Sequence, residues 1–307
     1  MDDDDDWEDS KVWIKSNPNM GLNTLSDSIL AEYRDAKNNP SKIVNFKTKH
    51  LNIWCDASND WISDKWRECV AKYTEKDLYG RVCYGGFDLG SVSDLTAITL
   101  FFPPDEENEK FRLIHKFYLP EDTLKDRDNK DVDYQKWVDE GYITLTKGAS
   151  VDYNAIRMDL SGAKMIGNKL EYSEDCIYTL YDVRKFGYDR WNSQSLVNDL
   201  EHVDGLSGME KVTQTTTGLS SATKMLEKLV VNKEIEHNDN PVFNWMLSNV
   251  ELETDSSGNI KPDKKKSNNK IDGVSSTVDA ITVWERDVNE QKESRFNDLD
   301  EVKSIFL

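Results

Sequence analysis

Arg81-Val-Cys-Tyr-Gly-Gly-Phe-Asp-Leu-Gly90 reads as a buried strand that carries a carboxylate near its end. An ionised acid among apolar neighbours is costly unless something compensates it, so Asp88 calls for a reason. Glycines at 85, 86 and 90 let another backbone or a ligand come close. Residues 95–102 and 111–119 repeat the β-rich pattern across short turns at 90–94 and 103–110, which predicts an antiparallel meander. Strand and helix signals then alternate. Helices are expected over 152–166 and 172–182, a strand over 183–188, a helix over 192–202, a strand over 211–215 and a helix over 220–231. A last helix over 272–284 places Val274, Val278 and Ile281 on one face. A meander followed by such units predicts an α/β fold whose mixed sheet is covered by helices on both faces.

Upstream, residues 1–77 read as an acidic start and a mostly helical linker, with helices over 24–37 and 62–73. Asn23, Thr24 and Ser26 are suited to cap the first. Residues 78–286 form the expected α/β domain and 287–307 an acidic tail. The first ten residues hold seven acidic groups and no basic one, and such runs stay solvated. No internal repeat is present.

The chain has 307 residues and a mass of 35.4 kDa, with 37% hydrophobic and 10% aromatic residues. That supplies a core and excludes global disorder despite a mean hydropathy of −0.72. A formal charge of −19 excludes a generally basic coat, so any nucleic-acid site must be a local patch. No run reaches the ~18 to 20 apolar residues of a membrane span. The anionic start is the reverse of a secretory leader. Cys55, Cys69, Cys83 and Cys176 are far apart, as suits free thiols in a reducing cytoplasm.

Familiar motifs fail. Gly162-Ala-Lys-Met-Ile-Gly167 has P-loop glycine spacing, but Asn168 stands where a lysine must reach phosphate, and the segment reads as helical. No ATP hydrolysis is expected. The four histidines form no HExxH, and no GxSxG elbow is present.

The acids are more informative. Asp88 ends the first strand, Asp189 follows the strand over 183–188 at the end where open sheets bind ligands, and Asp272 opens the last helix. Each has a bland reading as turn, strand end or N-cap. Together they describe convergent carboxylates able to hold two Mg²⁺ or Mn²⁺ ions for in-line phosphodiester hydrolysis. Asp279, two turns along the last helix, competes with Asp272. Asp182 is a weaker rival for Asp189, and Asp94 is a candidate just outside the ligand set.

Other residues add a resemblance. Trp13 with Asn17-Pro-Asn-Met-Gly21, Leu51-Asn-Ile-Trp54, Gly86-Phe-Asp-Leu-Gly90 with Ser93-Asp-Leu-Thr-Ala97, and Tyr188-Asp-Arg-Trp-Asn192 occur in this order. They are followed by His237 to Trp245 with Ser248-Asn249, Gly258 to Pro262, and Lys270-Ile-Asp-Gly273. From about Trp7 to Trp284 the chain resembles the C-terminal half of tailed-phage terminase large subunits, the DNA-packaging motors that also cut concatemeric DNA. The resemblance implies an RNase H-like nuclease in which Asp88 bridges both metals, with Asp189 and the acid of the closing helix beside it. It also implies double-stranded DNA, the terminase ATPase domain, the small terminase subunit and the portal protein as partners, and the cytoplasm of an infected bacterium as the setting. Members carry an N-terminal ATPase that this sequence lacks. Met1 followed by Asp2 to Asp6 reads as a start inside a longer frame, and 1–77 as the linker that docks the ATPase. A resolvase or transposase of the same fold, and a non-catalytic docking module, are the alternatives.

An acidic nuclease still needs local cations for phosphate. Lys261, Lys264, Lys265, Lys266 and Lys270 fall in ten residues just before Asp272, while Arg184, Lys185 and Arg190 flank Asp189. As an exposed loop, the lysines are expected to hold DNA while leaving metal affinity little changed. No base-reading element is evident, so cleavage with little sequence preference is expected.

Overall fold

The computed structural model describes residues 2, 5–21, 25–38, 42–53, 61–90, 94–126, 132–267 and 269–305. Asn23, Thr24, Trp54, Cys55 and Ser93, named above, lie outside them. Its strands are β1 Val82–Asp88, β2 Thr96–Phe102, β3 Phe111–Pro120, β4 Ile143–Thr146, β5 Ala163–Ile166, β6 Lys169–Tyr172, β7 Asp182–Tyr188, β8 Met209–Lys211, β9 Ile235–His237, β10 Leu252–Thr254 and β11 Ile260–Pro262. The helices are α1 Leu25–Asn38, α2 Ile43–Leu51, α3 Ser63–Arg67, α4 Glu121–Asp126, α5 Tyr134–Asp139 and α6 Tyr153–Ser161. They continue with α7 Ile177–Leu180, α8 Arg190–Asn198, α9 Thr216–Val231, α10 Pro241–Ser248 and α11 Asp272–Ile305.

The main sheet runs β4-β3-β2-β1-β7-β8, with β9 also on β3. β1, β2 and β3 are antiparallel neighbours, as the meander predicts, whereas β7 and β8 join in parallel. This is a mixed sheet, with the antiparallel meander and added parallel strands expected of an RNase H-like fold. Alternation sorts the side chains into two cores. Tyr84, Ala97, Phe101, Leu113 and Phe117 face α9, α10 and the first half of α11. Cys83, Phe87, Ile98, Leu100, Ile114 and Tyr118 face α6, α7 and α8. Both faces are covered, so β2 is buried along its whole length.

Helix α11 belongs inside because Val274, Val278, Ala280, Ile281 and Val283 are fully buried against the sheet and α9. Burying each Val or Ile is worth roughly 1.5 to 3 kcal/mol. Small residues let it approach. A Cβ on Gly86 would meet Ser276 O at 2.1 Å. The helix does not stop near Trp284 but runs on through the segment read as an acidic tail.

Three readings change. The two helices expected over 152–166 and 172–182 are shorter than read: α6 ends at Gly162, whose φ of 77° is left-handed, β5 and β6 follow as a hairpin turning at Gly167 (φ 64°), and only Ile177–Leu180 (α7) is helical in the second segment. The P-loop-like glycines therefore lie at a helix end and in a turn. Asp182 begins β7 instead of ending a helix. Residues 61–77, read as linker, supply Trp61, Ile62, Trp66 and Tyr73 to the two cores of the sheet. Trp66 stacks on His237 at 3.9 Å and donates its indole N–H to Asn244 at 2.8 Å. A separate cluster of Trp13, Ile29, Ala36, Phe46 and Leu51 is built by α1, α2 and the turn before them. Cys69, Cys83 and Cys176 are buried free thiols. Among the described residues no helix is long and apolar enough to cross a membrane.

Candidate metal centre

Strand alternation aims Asp88 at α11. Tyr84, Gly86 and Asp88 share one face of β1, where the Tyr84 hydroxyl donates to Asp287 at 2.7 Å and Gly86 abuts the helix backbone. Asp189 arrives beside Asp88 through a bulge. β1 pairs with β7 as Cys83 to Val183 but then as Tyr84 to Lys185, so β7 is one residue ahead from there on. Phe87 consequently faces Tyr188, and the next positions on the two strands are Asp88 and Asp189. Without the bulge, Asp88 would extrapolate to Tyr188. Asp189 caps α8, accepting the Trp191 backbone N–H at 3.3 Å. Asp272 and Asp279, seven residues apart on α11, fall on the same side of the helix.

Asp88, Asp272 and Asp279 are 7%, 5% and 2% exposed. Lys264, half-exposed on the loop before α11, sends its ammonium between two of them. It contacts Asp88 Oδ2 and donates to Asp272 Oδ1 at 3.1 Å. Burial pushes the Asp272 carboxyl above its ordinary range; Lys264 opposes that, and the Asp88 and Asp94 charges add to it. Asp279 is raised further, again by burial first, although Gln214 donates to its Oδ1 at 2.9 Å. Lys264 is held strongly protonated by the two carboxylates, which outweigh its desolvation. Asp94 lies just outside, in contact with Lys270.

Buried Oδ2 atoms of both Asp88 and Asp272 lack an aligned hydrogen-bond partner. A cleft of about 410 Å³ opens over the site, lined by Asp88, Asp189, Gln214 and the lysine loop. Unsatisfied carboxylate oxygens, a cation already drawn between two acids and an all-oxygen donor set fit a hard divalent metal. Among the described residues no three His, Cys, Asp or Glu groups already stand at ligand spacing. The acids share their charge with Lys264.

Of the residues singled out from sequence, Asp88, Asp189, Asp272 and Asp279 come together here. Asp182 does not: it pairs with Val82 at the opposite end of the strands, about 20 Å away at 3.3 Å per residue. It is in an ion pair with Arg184 at 2.7 Å. Lys185 is enclosed by Glu210 at 2.6 Å, Glu290 at 2.7 Å and Asp287 at 3.6 Å, a cluster that pins α11 to the sheet edge. Its ammonium is therefore engaged by three acids of the fold. Arg190 is exposed beside Asp189. In the lysine loop, Lys261 reaches Gln214 O at 3.2 Å and Glu253 at 3.3 Å, and Lys270 reaches Asp94. Lys264 sits within the acids, so the expectation that the loop leaves the metal site alone fails for that residue. Lys265 and Lys266 stay exposed, or nearly so, on a turn held by their N–H groups to Asp263. Sequence reasoning misses Gln214: nothing in its local sequence marks it, and only the β8 to α9 connection brings it to Asp279.

Comparison with known proteins adds identity to this geometry. The family described as "Terminase large subunit, endonuclease domain" matches residues 1–288. Protein YmfN of Escherichia coli (strain K12) is 30% identical over 294 residues, 92% of this chain and 61% of that protein. The terminase large subunit of Enterobacteria phage HK97 is 26% identical over 281 residues, 91% of this chain and 52% of the relative. The crystal structure of the HK97 large terminase is similar with a TM-score of 0.59 at 25% identity, over 92% of this chain and 55% of that one. The chain thus spans only part of the length of the curated relatives it matches.

Proposed function

The chain belongs to the terminase large subunit endonuclease family, and from that premise we propose that it is a Mg²⁺- or Mn²⁺-dependent DNA endonuclease of a viral packaging motor. It cuts concatemeric double-stranded DNA by two-metal-ion hydrolysis, in the cytoplasm of the infected bacterium. The observation that carries this reading is a cleft lined by Asp88 and Asp189, with Asp272 and Asp279 buried close enough to feel their charge and Asp272 Oδ2 buried without a hydrogen-bond partner.

Asp88, Asp189 and Asp272 would hold the ions, with Asp279 as the further candidate two turns along the same helix. The ions, once bound, supply an activated water and charge stabilisation at the scissile phosphate. The protein's own part is positional. β1 and the bulged β7 set two acids side by side, and α11 brings the others against them. Gln214 orients Asp279 by donating to one of its oxygens. Lys265, Lys266 and Arg190 offer cations to the phosphates, and Lys264 balances the acids. The ATPase domain, small terminase subunit and portal protein are the partners that such a motor would supply. With no P-loop of its own, the chain is expected to hydrolyse no ATP.

The test is cleavage of supercoiled plasmid by the purified chain with Mn²⁺ or Mg²⁺, which EDTA should stop. Asp88→Asn should lower the rate by at least about a hundredfold with the melting temperature kept or raised, since the substitution removes a buried charge. Wild-type cutting by that variant would overturn the metal-site reading.

A further inference from the structure

Trp191 is 87% exposed, well beyond the next large hydrophobic side chain, Met165 at 57%. Among the described residues its indole makes no ring contact and no hydrogen bond. Nothing in the fold requires an aromatic there, and apolar area of that size left in water is stabilisation forgone. Its position is specific. The Trp191 backbone N–H donates to the Asp189 carboxylate at 3.3 Å, which ties the first turn of α8 to the acid. Asp189 lines the same cleft as Lys264, Lys265 and Lys266. The start of α8, where Arg190 is also exposed, therefore adjoins the cleft into which those lysines would draw a phosphate backbone.

Resting on the nuclease reading above, we propose that Trp191 is a substrate-positioning residue that stacks on an unpaired or unstacked nucleobase of the strand at the acidic cleft. Every base has a π-face, so such a platform adds affinity without sequence preference. It also keeps the strand from sliding while the lysines hold its phosphates. Stacking contributes no counterion release, which separates it from the cationic contacts.

Binding of fluorescein-labelled oligonucleotides in EDTA, where nothing is cut, tests this with the full chain. A single-stranded 30-mer, a duplex carrying a short mismatched bubble and a fully paired duplex are titrated at several salt concentrations. Trp191→Ala should weaken the single strand and the bubble by about five- to a hundredfold, the loss expected for one stacked base. The paired duplex should lose less, and the slope of log K against log salt should not change. Trp191→Phe should recover most of the affinity. Equal affinity of wild type and Trp191→Ala for all three DNAs overturns the proposal, and the side chain then belongs to a protein contact. An equal loss on all three, with a shallower salt slope, overturns it too, because it would report displaced phosphates. Wild type that binds none of the three at low salt overturns the nucleic-acid reading itself, whereas the first two outcomes leave that reading standing.

Discussion

Replacing Gly86 by alanine presses a methyl group into the helix that carries two of the acids. The new Cβ would lie 2.1 Å from Ser276 O, 2.6 Å from Ala280 N and 3.2 Å from Ala280 Cα. Carbon needs about 3.5 Å, so β1 and α11 must separate by more than about an ångström. The atoms met are helix backbone, which cannot rotate away as a side chain can. Overpacking of this kind costs about 1 to 3 kcal/mol, or roughly 2 to 10 °C in melting temperature for a domain of this size. The functional cost should be larger. Asp88 is on the strand, Asp272 and Asp279 are on the helix, and a misplacement of about 1 Å can cost a hundredfold in rate. Urea unfolding in EDTA gives the stability, and nicking of supercoiled plasmid with Mn²⁺ gives the rate. Gly187→Ala, whose Cβ would meet Asp279 O at 2.6 Å, should act in the same direction. A Gly86→Ala protein that is destabilised yet nicks at the wild-type rate would show that the strand–helix spacing does not set the acids.

Lys264→Met should bind Mn²⁺ at least about tenfold more tightly than wild type by calorimetry without DNA, since the metal no longer displaces an ammonium; unchanged affinity would mean that Lys264 does not compete. Asp279→Asn should melt higher than wild type in EDTA at pH 8. The Asp279 pKa is raised in the folded state, so its contribution is fully present below the ordinary value of 3.8 and lost as pH rises through the folded value. The advantage of the variant should therefore shrink on acidification toward pH 4, and a difference independent of pH would contradict a buried, ionising Asp279. Lys265→Glu with Lys266→Glu should weaken duplex binding in low salt and make the salt slope shallower by roughly one unit for each phosphate no longer neutralised; an unchanged slope would leave these lysines as ordinary solvated surface.

The meander is legible because β1, β2 and β3 are β-rich runs closed by short turns, and their two-faced burial shows as near-continuous apolar sequence. Asp88 is legible for the same reason: a charge in such a run stands out. The first half of α11 announces itself through Val274, Val278 and Ile281. The hairpin of β5 and β6 does not, because Met165, Ile166 and Tyr172 are exposed and its strands carry no inward–outward contrast. Its only signals are Gly162 and Gly167, whose spacing invites a phosphate-loop comparison instead. Residues 61–77 read as linker because Trp66 and Tyr73 pack against β9, a three-residue strand too short to recognise.

The choice between Asp272 and Asp279 is undecidable from sequence, since seven residues return to the same helical face and both acids are buried there. What the sequence leaves out altogether is register. A single bulge between residues 183 and 185 decides whether Asp88 lies beside a tyrosine or beside Asp189, and no local residue preference marks it. The balancing charge is equally hidden. Lys264 lies eight positions before Asp272 in a run of lysines that all look alike, yet the loop sends Lys264 to the acids and leaves Lys265 and Lys266 exposed or nearly so. Three buried carboxylates this close would repel one another strongly in a medium of low polarity. A cation delivered from the same loop that offers lysines to phosphate offsets that repulsion at Asp88 and Asp272. On the proposed function, the residue that balances the site is thus also the one that an incoming metal ion would have to move.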